Sequence, residues 1–262
     1  MACTERAGAV GAVSRRPVRL VAQLPAHRRR RIVALVLAWY RVHQRTLPWR
    51  RTKDPWAVLV SEILLHQTQV ARAVPVYQGF IERWPDPPSC AAAPLAEIKA
   101  LTDPLGYHAR GGWLHGIAAA VSERPPPHLP VTAPELRRFR GIGRYTAAAV
   151  ASIAFGAPEP LVDTNVVRLF ERLFRLPPDR RRAGSPRLWA VAERLVPRTA
   201  AGDFNQGLME LGALICRPRA PRCGVCPLEP VCASRHRRLT TVRFREGSAR
   251  PRAAPDRGRQ AE

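Results

Sequence analysis

The chain has 262 residues and carries 43 basic against 20 acidic side chains, which gives a formal net charge of +23. This length allows one large domain or two small ones with a real hydrophobic core, and the longest apolar run, at 32–40, is too short to cross a bilayer. The composition therefore argues against a membrane protein and favours a polyanionic partner, because 41 of the 43 basic residues are arginine, whose planar fork of donors suits phosphate. An arginine-rich genome would also raise the arginine content, but it does not explain the small number of acids.

Positive charge is concentrated at the two ends of the chain. Residues 1–31 carry eight arginines and one glutamate, and residues 236–262 are similarly basic. Such segments bury too little apolar surface to fold, so we expect disordered basic tails on either side of an ordered region at 32–235. No secretory signal is evident, so we expect a cytoplasmic protein, and its positive charge favours association with nucleic acid.

The first ordered residues predict an amphipathic helix at 32–43. Leu-Pro-Trp-Arg follows at 47–50 as an extended turn, since the residue before a proline avoids helical backbone. A second helix is predicted at 55–71, and Glu62 flanks its apolar stripe. Desolvation at such an edge raises the pKa of a carboxyl group, which suits a general acid. The alternative is that Glu62 is an ordinary charged residue on the solvated face of the helix.

Further helices are predicted at 74–83, 94–101 and 111–121, with prolines marking a loop after the first of them. Tyr107 follows a glycine in the connection between the last two. An aromatic side chain in a basic protein could stack between bases, or it could simply anchor its loop.

Two glycines one residue apart, Gly141 and Gly143, separate two helical patterns, the second of them at 145–155. This pattern describes a tight hairpin whose bare amides, with a helix N-terminus behind them, form a cradle for a phosphate oxygen. An ordinary connector between two helices would show the same Gly-x-Gly spacing.

Asp163 stands at the N-cap position of a helix whose apolar face runs over 166–174, and capping alone would explain it. We expect amide donors and the helix dipole to lower the pKa of Asp163, so that it stays ionised while Glu62 stays protonated. An arginine- and proline-rich linker at 176–186 precedes helices predicted at 188–196 and 204–216. Glu210, in the last helix, is either a site residue or a buried helix end.

Four cysteines near the end of the ordered region have the spacing C-x6-C-x2-C-x5-C; they are Cys216, Cys223, Cys226 and Cys232. Four thiolates this close bind zinc or an iron–sulfur cluster, and disulfides are disfavoured in a cytoplasmic chain. We interpret Cys3 and Cys90, outside this group, as plain residues.

These motifs together resemble the helix-hairpin-helix DNA glycosylases, the superfamily of endonuclease III and the MutY-type adenine glycosylases. The segment 61–69 is close to the catalytic-helix pattern Ser-Glu-x-x-Leu-Gln-Gln-Thr-Gln, 105–110 has Leu-Gly-Tyr-x-x-Arg, and 162–168 has Val-Asp-x-Asn-Val-x-Arg. The resemblance covers 32–235 and implies an all-α, two-lobed fold with a C-terminal iron–sulfur loop. A six-helix lobe would span about 54–158, and the cluster lobe would combine 32–53 with 159–235.

The resemblance also implies a role for each matching residue. Glu62 would be the catalytic acid, Asp163 would stabilise the sugar cation, and the four cysteines would hold a [4Fe–4S] cluster. Residues implied for the base pocket and for wedging into the DNA stack are Arg50, Leu65, Gln67, Tyr107, Tyr145, Asn165 and Glu210. The hairpin residues Gly141, Gly143 and Arg144 would grip the DNA backbone.

This chain departs from the family pattern at three positions. His66 replaces the usual Gln, and Thr164 stands where adenine glycosylases often have Gly. Tyr145 occupies the position of the lysine that strand-nicking relatives use, so we expect a monofunctional enzyme without lyase activity.

Three functions are compatible with the sequence. The first is excision of adenine mispaired with guanine or 8-oxoguanine; the second is excision of thymine or uracil at G·T or G·U mismatches. The third is a non-catalytic, cluster-bearing DNA-binding protein, which the presence of both Glu62 and Asp163 disfavours. We expect a monomer that binds mismatched double-stranded DNA and no membrane. The resemblance to adenine glycosylases implies a C-terminal recognition domain, for which the basic tail after Cys232 is too short, so we also expect weaker discrimination between 8-oxoguanine and guanine than in a full-length relative.

Overall fold

The computed structural model describes residues 24–235, and every regular element within that range is helical, so the predicted all-α class is confirmed. The helices in chain order are α1 (Ala26–His43), α2 (Pro55–Leu64), α3 (Val70–Arg83), α4 (Pro87–Ala92), α5 (Leu95–Thr102), α6 (Ala109–Ser122), α7 (Ala133–Leu136), α8 (Arg144–Ile153), α9 (Thr164–Leu173), α10 (Pro186–Leu195) and α11 (Ala201–Glu210). Short 3-10 turns lie at Pro48–Arg50, Asp103–Leu105, Arg182–Gly184, Cys223–Val225 and Glu229–Val231. None of these helices is both long and apolar enough to cross a membrane.

The apolar side chains form two cores. Helices α2 to α8 surround the first, with Phe80, Ile63 and Leu114 fully buried in it. Helices α1, α9, α10 and α11 surround the second, which is centred on Phe170 and Phe204. Helix α8 joins the two, because Ala147 and Val150 pack in the first core while Ala149 packs in the second. The alanine-rich sequence of α8 permits this close approach from both sides.

Helix α1 begins at Ala26 rather than at residue 32, inside the segment predicted to be a disordered tail. Its first turn is tied down by arginines: Arg28 Nη2 donates to the Val231 carbonyl at 3.0 Å, and the Arg28 guanidinium lies 5.6 Å from the centre of the Phe174 ring. A run of arginines can therefore form a helix when the guanidinium groups have acceptors and the aliphatic parts of the side chains pack on the protein. The remaining tail residues, 1–23 and 236–262, lie outside the described residues.

The predicted helix 55–71 is wrong in its second half, because α2 ends at Leu64 and α3 starts at Val70. The fully buried Arg110 accounts for the break. Its guanidinium donates to the carbonyls of Leu64 and His66 at 2.8 and 2.9 Å and to Thr68 Oγ1 at 3.0 Å. These bonds satisfy carbonyls that a continuing helix would have used, and Gln67 takes a left-handed conformation with φ 54°.

Two further elements differ from the sequence prediction. The proline-rich stretch predicted as a loop contains α4, because Pro87 occupies its first turn and Asp86 forms a capping box with Ser89. The helix predicted at 204–216 becomes a π-helical segment over Leu211–Ile215, where the Cys216 N–H donates to the Leu211 carbonyl at 2.7 Å.

Candidate functional site

A cavity of about 210 Å³ lies where the two cores meet. Both cores contribute its walls, with residues from α2 and α8 on one side and from α9 and α11 on the other. Seven of the residues singled out in the sequence line it: Arg50, Glu62, Leu65, Tyr145, Asp163, Asn165 and Glu210. Residues that are 100 and more positions apart thus share one site.

Glu62 lies in the last turns of α2 and is 5% exposed. Its Oε2 atom is buried and has no hydrogen-bond partner among the described residues. Burial raises the pKa of Glu62 to about 7, and the charge of Asp163 adds to the rise, while the Tyr145 hydroxyl and Arg50 act in the opposite direction. A substantial fraction of the Glu62 carboxyl is therefore protonated near neutral pH, as a proton donor requires.

Asp163 caps α9. Its Oδ1 accepts the Val166 N–H at 2.6 Å, and its Oδ2 accepts the side-chain N–H of Asn165 at 2.8 Å. The expectation that these donors hold the pKa of Asp163 low is wrong in its net direction, because burial raises that pKa by more than the hydrogen bonds and Arg168 lower it. The two carboxyls still differ, since both oxygens of Asp163 have donors that stabilise its charge and Oε2 of Glu62 has none.

A chain of hydrogen bonds leads from Asp163 to the cysteine segment. Asn165 Oδ1 accepts from Arg168 Nη2 at 2.9 Å, and Arg168 Nε donates to the Cys216 carbonyl at 2.7 Å. Arg168 also donates to the Gly212 carbonyl at 2.6 Å, within the π-helical segment. The position of the Asp163 carboxylate is thus linked by hydrogen bonds to the loop that follows α11.

Tyr145 projects from the first turn of α8 into the cavity. Its hydroxyl donates to Met209 Sδ at 3.3 Å and lies near Glu62. Burial raises the pKa of Tyr145 well above its usual range, with the charges of Glu62 and Asp163 adding to the rise. Tyr145 is therefore a neutral hydroxyl here. Neither of the two lysines of the chain, Lys53 and Lys99, lines the cavity.

Glu210 is fully buried at the end of α11 and pairs with two arginines. Arg45 Nε lies 2.9 Å from its Oε2, and Arg50 Nη1 contacts its Oε1. Arg50 also donates to the Arg45 carbonyl at 3.1 Å, while its Nε atom is buried without a partner in the described structure. Glu210 is thus a buried helix end that also lines the cavity, and its role as a site residue stays a prediction.

Gln67 and Tyr107 lie outside the cavity lining. Gln67 is exposed in the turn after α2, and Tyr107 is 42% exposed before α6. Both have positive φ, 54° and 30°, which is strained for residues with a side chain. Two strained, exposed side chains are thus presented to solvent rather than packed into the core.

The hairpin between α7 and α8 leaves a helix N-terminus open. Gly143 is the N-cap of α8, and no side chain caps the first amides of that helix. Gly141 has φ +91° and lies directly against the indole of Trp113. Arg144, exposed in the first turn, places its guanidinium 3.7 Å from the centre of the Trp189 ring in α10. The hairpin therefore offers amides and a fixed arginine to an anion.

The four cysteines line a second, smaller cavity of about 30 Å³; they are Cys216, Cys223, Cys226 and Cys232. No three metal-binding side chains in residues 24–235 are arranged to hold a single ion. Arg172 Nη1 lies 3.4 Å from the Cys216 sulfur and also donates to the Arg217 carbonyl at 2.7 Å. The four cysteines thus share one cavity, with a guanidinium against one sulfur, but their side chains do not converge on a single point in the described residues. Cys90 is buried in the first core, and Cys3 lies outside the described residues.

Sequence reasoning missed Arg45 and Met209 as site residues. The contact of Arg45 with Glu210 joins residues far apart in the chain, and no local pattern marks it. Met209 directly precedes Glu210, but its role as an acceptor for Tyr145 depends on how α8 and α11 pack.

Comparisons with known proteins identify the family and the fold. Residues 60–192 match the family described as HhH-GPD superfamily base excision DNA repair protein. The chain is 42% identical over 212 residues to the adenine DNA glycosylase of Homo sapiens, and the aligned region covers 77% of this chain but only 39% of that relative. It is 38% identical over 202 residues to the thymine-DNA glycosylase of Aeropyrum pernix, and here the aligned region covers 75% of this chain and 91% of that relative. The solved structure of a thermostable thymine-DNA glycosylase superposes with a TM-score of 0.73 at 30% identity, covering 81% of this chain and 98% of that one.

Proposed function

Because this chain belongs to the HhH-GPD superfamily of base excision DNA repair proteins, we propose that it is a monofunctional DNA glycosylase that excises adenine mispaired with guanine or 8-oxoguanine. The observation that carries the proposal is the pair of carboxyls in the larger cavity. Glu62 is buried with an unpartnered oxygen, and Asp163 is held by donors on both oxygens. One group is arranged to give a proton and the other to face a positive charge.

The chemistry follows from the difference between the two carboxyls. A base must leave the stack before its glycosidic bond can be reached, so the cavity between the cores would receive the extruded base. Glu62 would protonate a ring nitrogen and so make adenine a better leaving group, and it would afterwards help to position the attacking water. Asp163 would stabilise the oxocarbenium-like sugar as positive charge develops on it.

The turn after α2, the segment before α6 and the hairpin would contact the DNA. Gln67 and Tyr107 are exposed and strained beside the site, as suits side chains that wedge between bases. The amides behind Gly141 and Gly143, together with Arg144, would hold a backbone phosphate. We propose that the protein binds mismatched double-stranded DNA as a monomer.

The absence of a lysine from the cavity lining supports hydrolysis without strand nicking. A lyase needs an amine that attacks the sugar and forms a Schiff base. The residue at the start of α8 is Tyr145, whose hydroxyl stays protonated at physiological pH and is turned toward Met209.

We further propose that Cys216, Cys223, Cys226 and Cys232 hold a [4Fe–4S] cluster. The cluster would cross-link the loop after the π-helical segment and shape a basic surface beside the site. We expect it to have a structural role and no part in the excision step. Arg172, against the Cys216 sulfur, would offset part of the negative charge of the thiolates.

Excision of thymine or uracil opposite guanine is a second candidate. It is supported by the thymine-DNA glycosylase of Aeropyrum pernix, of whose length this chain covers 91%, against 39% for the human adenine enzyme. A buried carboxyl that carries a proton favours a purine leaving group, which is better expelled when protonated, and we therefore give adenine first place.

Single-turnover excision with enzyme in excess tests the proposal. Duplexes carrying A·8-oxoguanine, A·G, G·T and G·U are incubated with the protein, and the released base is identified by chromatography. We expect adenine from the first two duplexes. Release of thymine or uracil alone would establish the second candidate, and no release from any duplex would support the non-catalytic alternative.

A further inference from the structure

Three aromatic side chains, Trp113, Tyr107 and His66, form a group beside the hairpin. Trp113, half-buried on α6, lies with its ring centre 5.3 Å from that of Tyr107 and 6.3 Å from that of His66. Both pairs are nearly perpendicular, with interplanar angles of 73° and 74°. This edge-to-face arrangement is the one that aromatic rings prefer. We call these three residues the rim cluster.

The hairpin interlocks with the rim cluster through Gly141. A Cβ atom on Gly141 would lie 2.4 Å from Cδ2 and 2.6 Å from Cγ of Trp113, so the glycine backbone rests directly on the indole. His66 makes a second link, because its Nε2 lies 3.1 Å from Thr146 Oγ1 in the first turns of α8. A displacement of the hairpin would therefore move Trp113.

Tyr107 depends on the same neighbour for its position. It is 42% exposed and has φ 30°, so neither burial nor relaxed backbone geometry fixes it. Its carbonyl accepts from Arg110 Nε at 3.3 Å, and the Arg110 guanidinium lies 5.9 Å from the centre of its ring. Trp113 contacts the same ring edge to face, and its indole connects Tyr107 to Gly141.

We propose that Trp113 is a positioning residue that fixes Tyr107 relative to the hairpin. When the hairpin holds a DNA phosphate, the indole transmits that position to Tyr107, so that the tyrosine ring enters the stack at a set distance from the gripped phosphate. The proposal rests on the glycosylase function proposed above for the DNA that is bound. It assigns to Trp113 a role beyond core packing, because its neighbours on both sides are proposed DNA contacts.

The experiment is a double-mutant cycle between Trp113→Leu and Tyr107→Ala, with Trp113→Phe as the conservative variant. The first readout is the single-turnover excision rate on the best duplex for the wild type. The second is the fluorescence of 2-aminopurine placed opposite a tetrahydrofuran abasic-site analogue, measured at saturating protein. This second readout reports base stacking at the rim and needs no excision, so it still tests the proposal if the protein excises nothing.

Leu101→Ala serves as the matched control. Leu101 packs against the same core from α5, next to Gly79 of α3, so its truncation tests whether a general loosening of the lobe is enough to produce the effect. The stability of each variant is measured by urea unfolding, and rates are compared well below the unfolding transition.

We expect Trp113→Leu to lower the excision rate about threefold to tenfold, the range that one edge-to-face contact supports, and to abolish the fluorescence change. Affinity for undamaged duplex should change by less than about twofold, since no phosphate contact is lost. In the Tyr107→Ala background, Trp113→Leu should have no further effect on either readout. With Tyr107 intact, Trp113→Phe should keep most of the excision rate and of the fluorescence change that Trp113→Leu loses. Additive effects of the two substitutions, or equal losses in Leu101→Ala, would overturn the proposal.

Discussion

The buried carboxyl of Glu62 carries a cost in stability that can be measured. Its pKa is raised from 4.5 to about 7 in the folded protein. Between these pH values the folded state keeps a proton that the unfolded chain releases, so the unfolding free energy falls as pH rises. The favourable contribution is fully present below pH 4.5 and is lost as pH passes 7. The whole effect is about 3 kcal/mol, at about 1.4 kcal/mol per pKa unit.

Glu62→Gln removes this pH dependence, because the amide has the shape of the protonated acid and cannot ionise. Urea unfolding of the wild type and of Glu62→Gln, repeated from pH 5.5 to 8.5, gives the difference directly. We expect the variant to gain about 2 kcal/mol relative to the wild type across that interval, since part of the effect lies below pH 5.5. Glu193→Gln, at an exposed position of α10, controls for the loss of one negative charge.

A difference between Glu62→Gln and the wild type that stays constant from pH 5.5 to 8.5 would refute this reasoning. It would mean that the carboxyl ionises in the folded protein as easily as in the unfolded chain. The proton donor proposed for the reaction would then have to be another group.

Other predictions address the remaining parts of the site. Asp163→Asn should lower the single-turnover excision rate by at least about 100-fold and leave duplex affinity within a few fold; a near wild-type rate would remove Asp163 from the reaction. Borohydride should trap no covalent protein–DNA adduct, and a good yield of adduct would show an amine acting in place of the hydroxyl of Tyr145. Glu210→Gln should lower the unfolding free energy by about 3 kcal/mol, because it leaves two guanidiniums without their buried partner; urea unfolding checks this, and an unchanged midpoint would contradict it. Anaerobically purified protein should contain about four iron atoms per chain, whereas stoichiometric zinc would contradict the proposed cluster.

Local patterns were sufficient for much of the fold. The apolar periodicity of α1 and α9 predicts helices because one face of each is buried. The sequence also predicts Asp163 as an N-cap, because a cap depends only on neighbouring residues. The family is shown by the comparisons, in agreement with the resemblance seen in the motifs.

Features set by distant side chains could not be predicted. The end of α2 at Leu64 depends on Arg110, which comes from another helix and takes the free carbonyls. The pKa of Asp163 is raised because burial outweighs its hydrogen bonds, and burial is a property of the packed lobes rather than of the capping motif. The contact of Trp113 with Gly141 likewise joins two segments whose local sequences give no sign of it.

The roles assigned to site residues remain predictions even where the structure brings the residues together. Glu62, Asp163 and Tyr145 line one cavity, and excision assays with variants of each residue test the proposed chemistry. The same holds for Gln67 and Tyr107, which the structure places outside the cavity and exposed to solvent.

The most direct test of the account is adenine release from an A·8-oxoguanine duplex by the wild type and by Glu62→Gln, under single-turnover conditions with both proteins saturating. We predict that the wild type releases adenine and that Glu62→Gln is slower by at least about 100-fold, the range expected for loss of a general acid, while both bind the duplex with similar affinity. Equal rates for the two proteins, or no adenine from the wild type, would contradict the account.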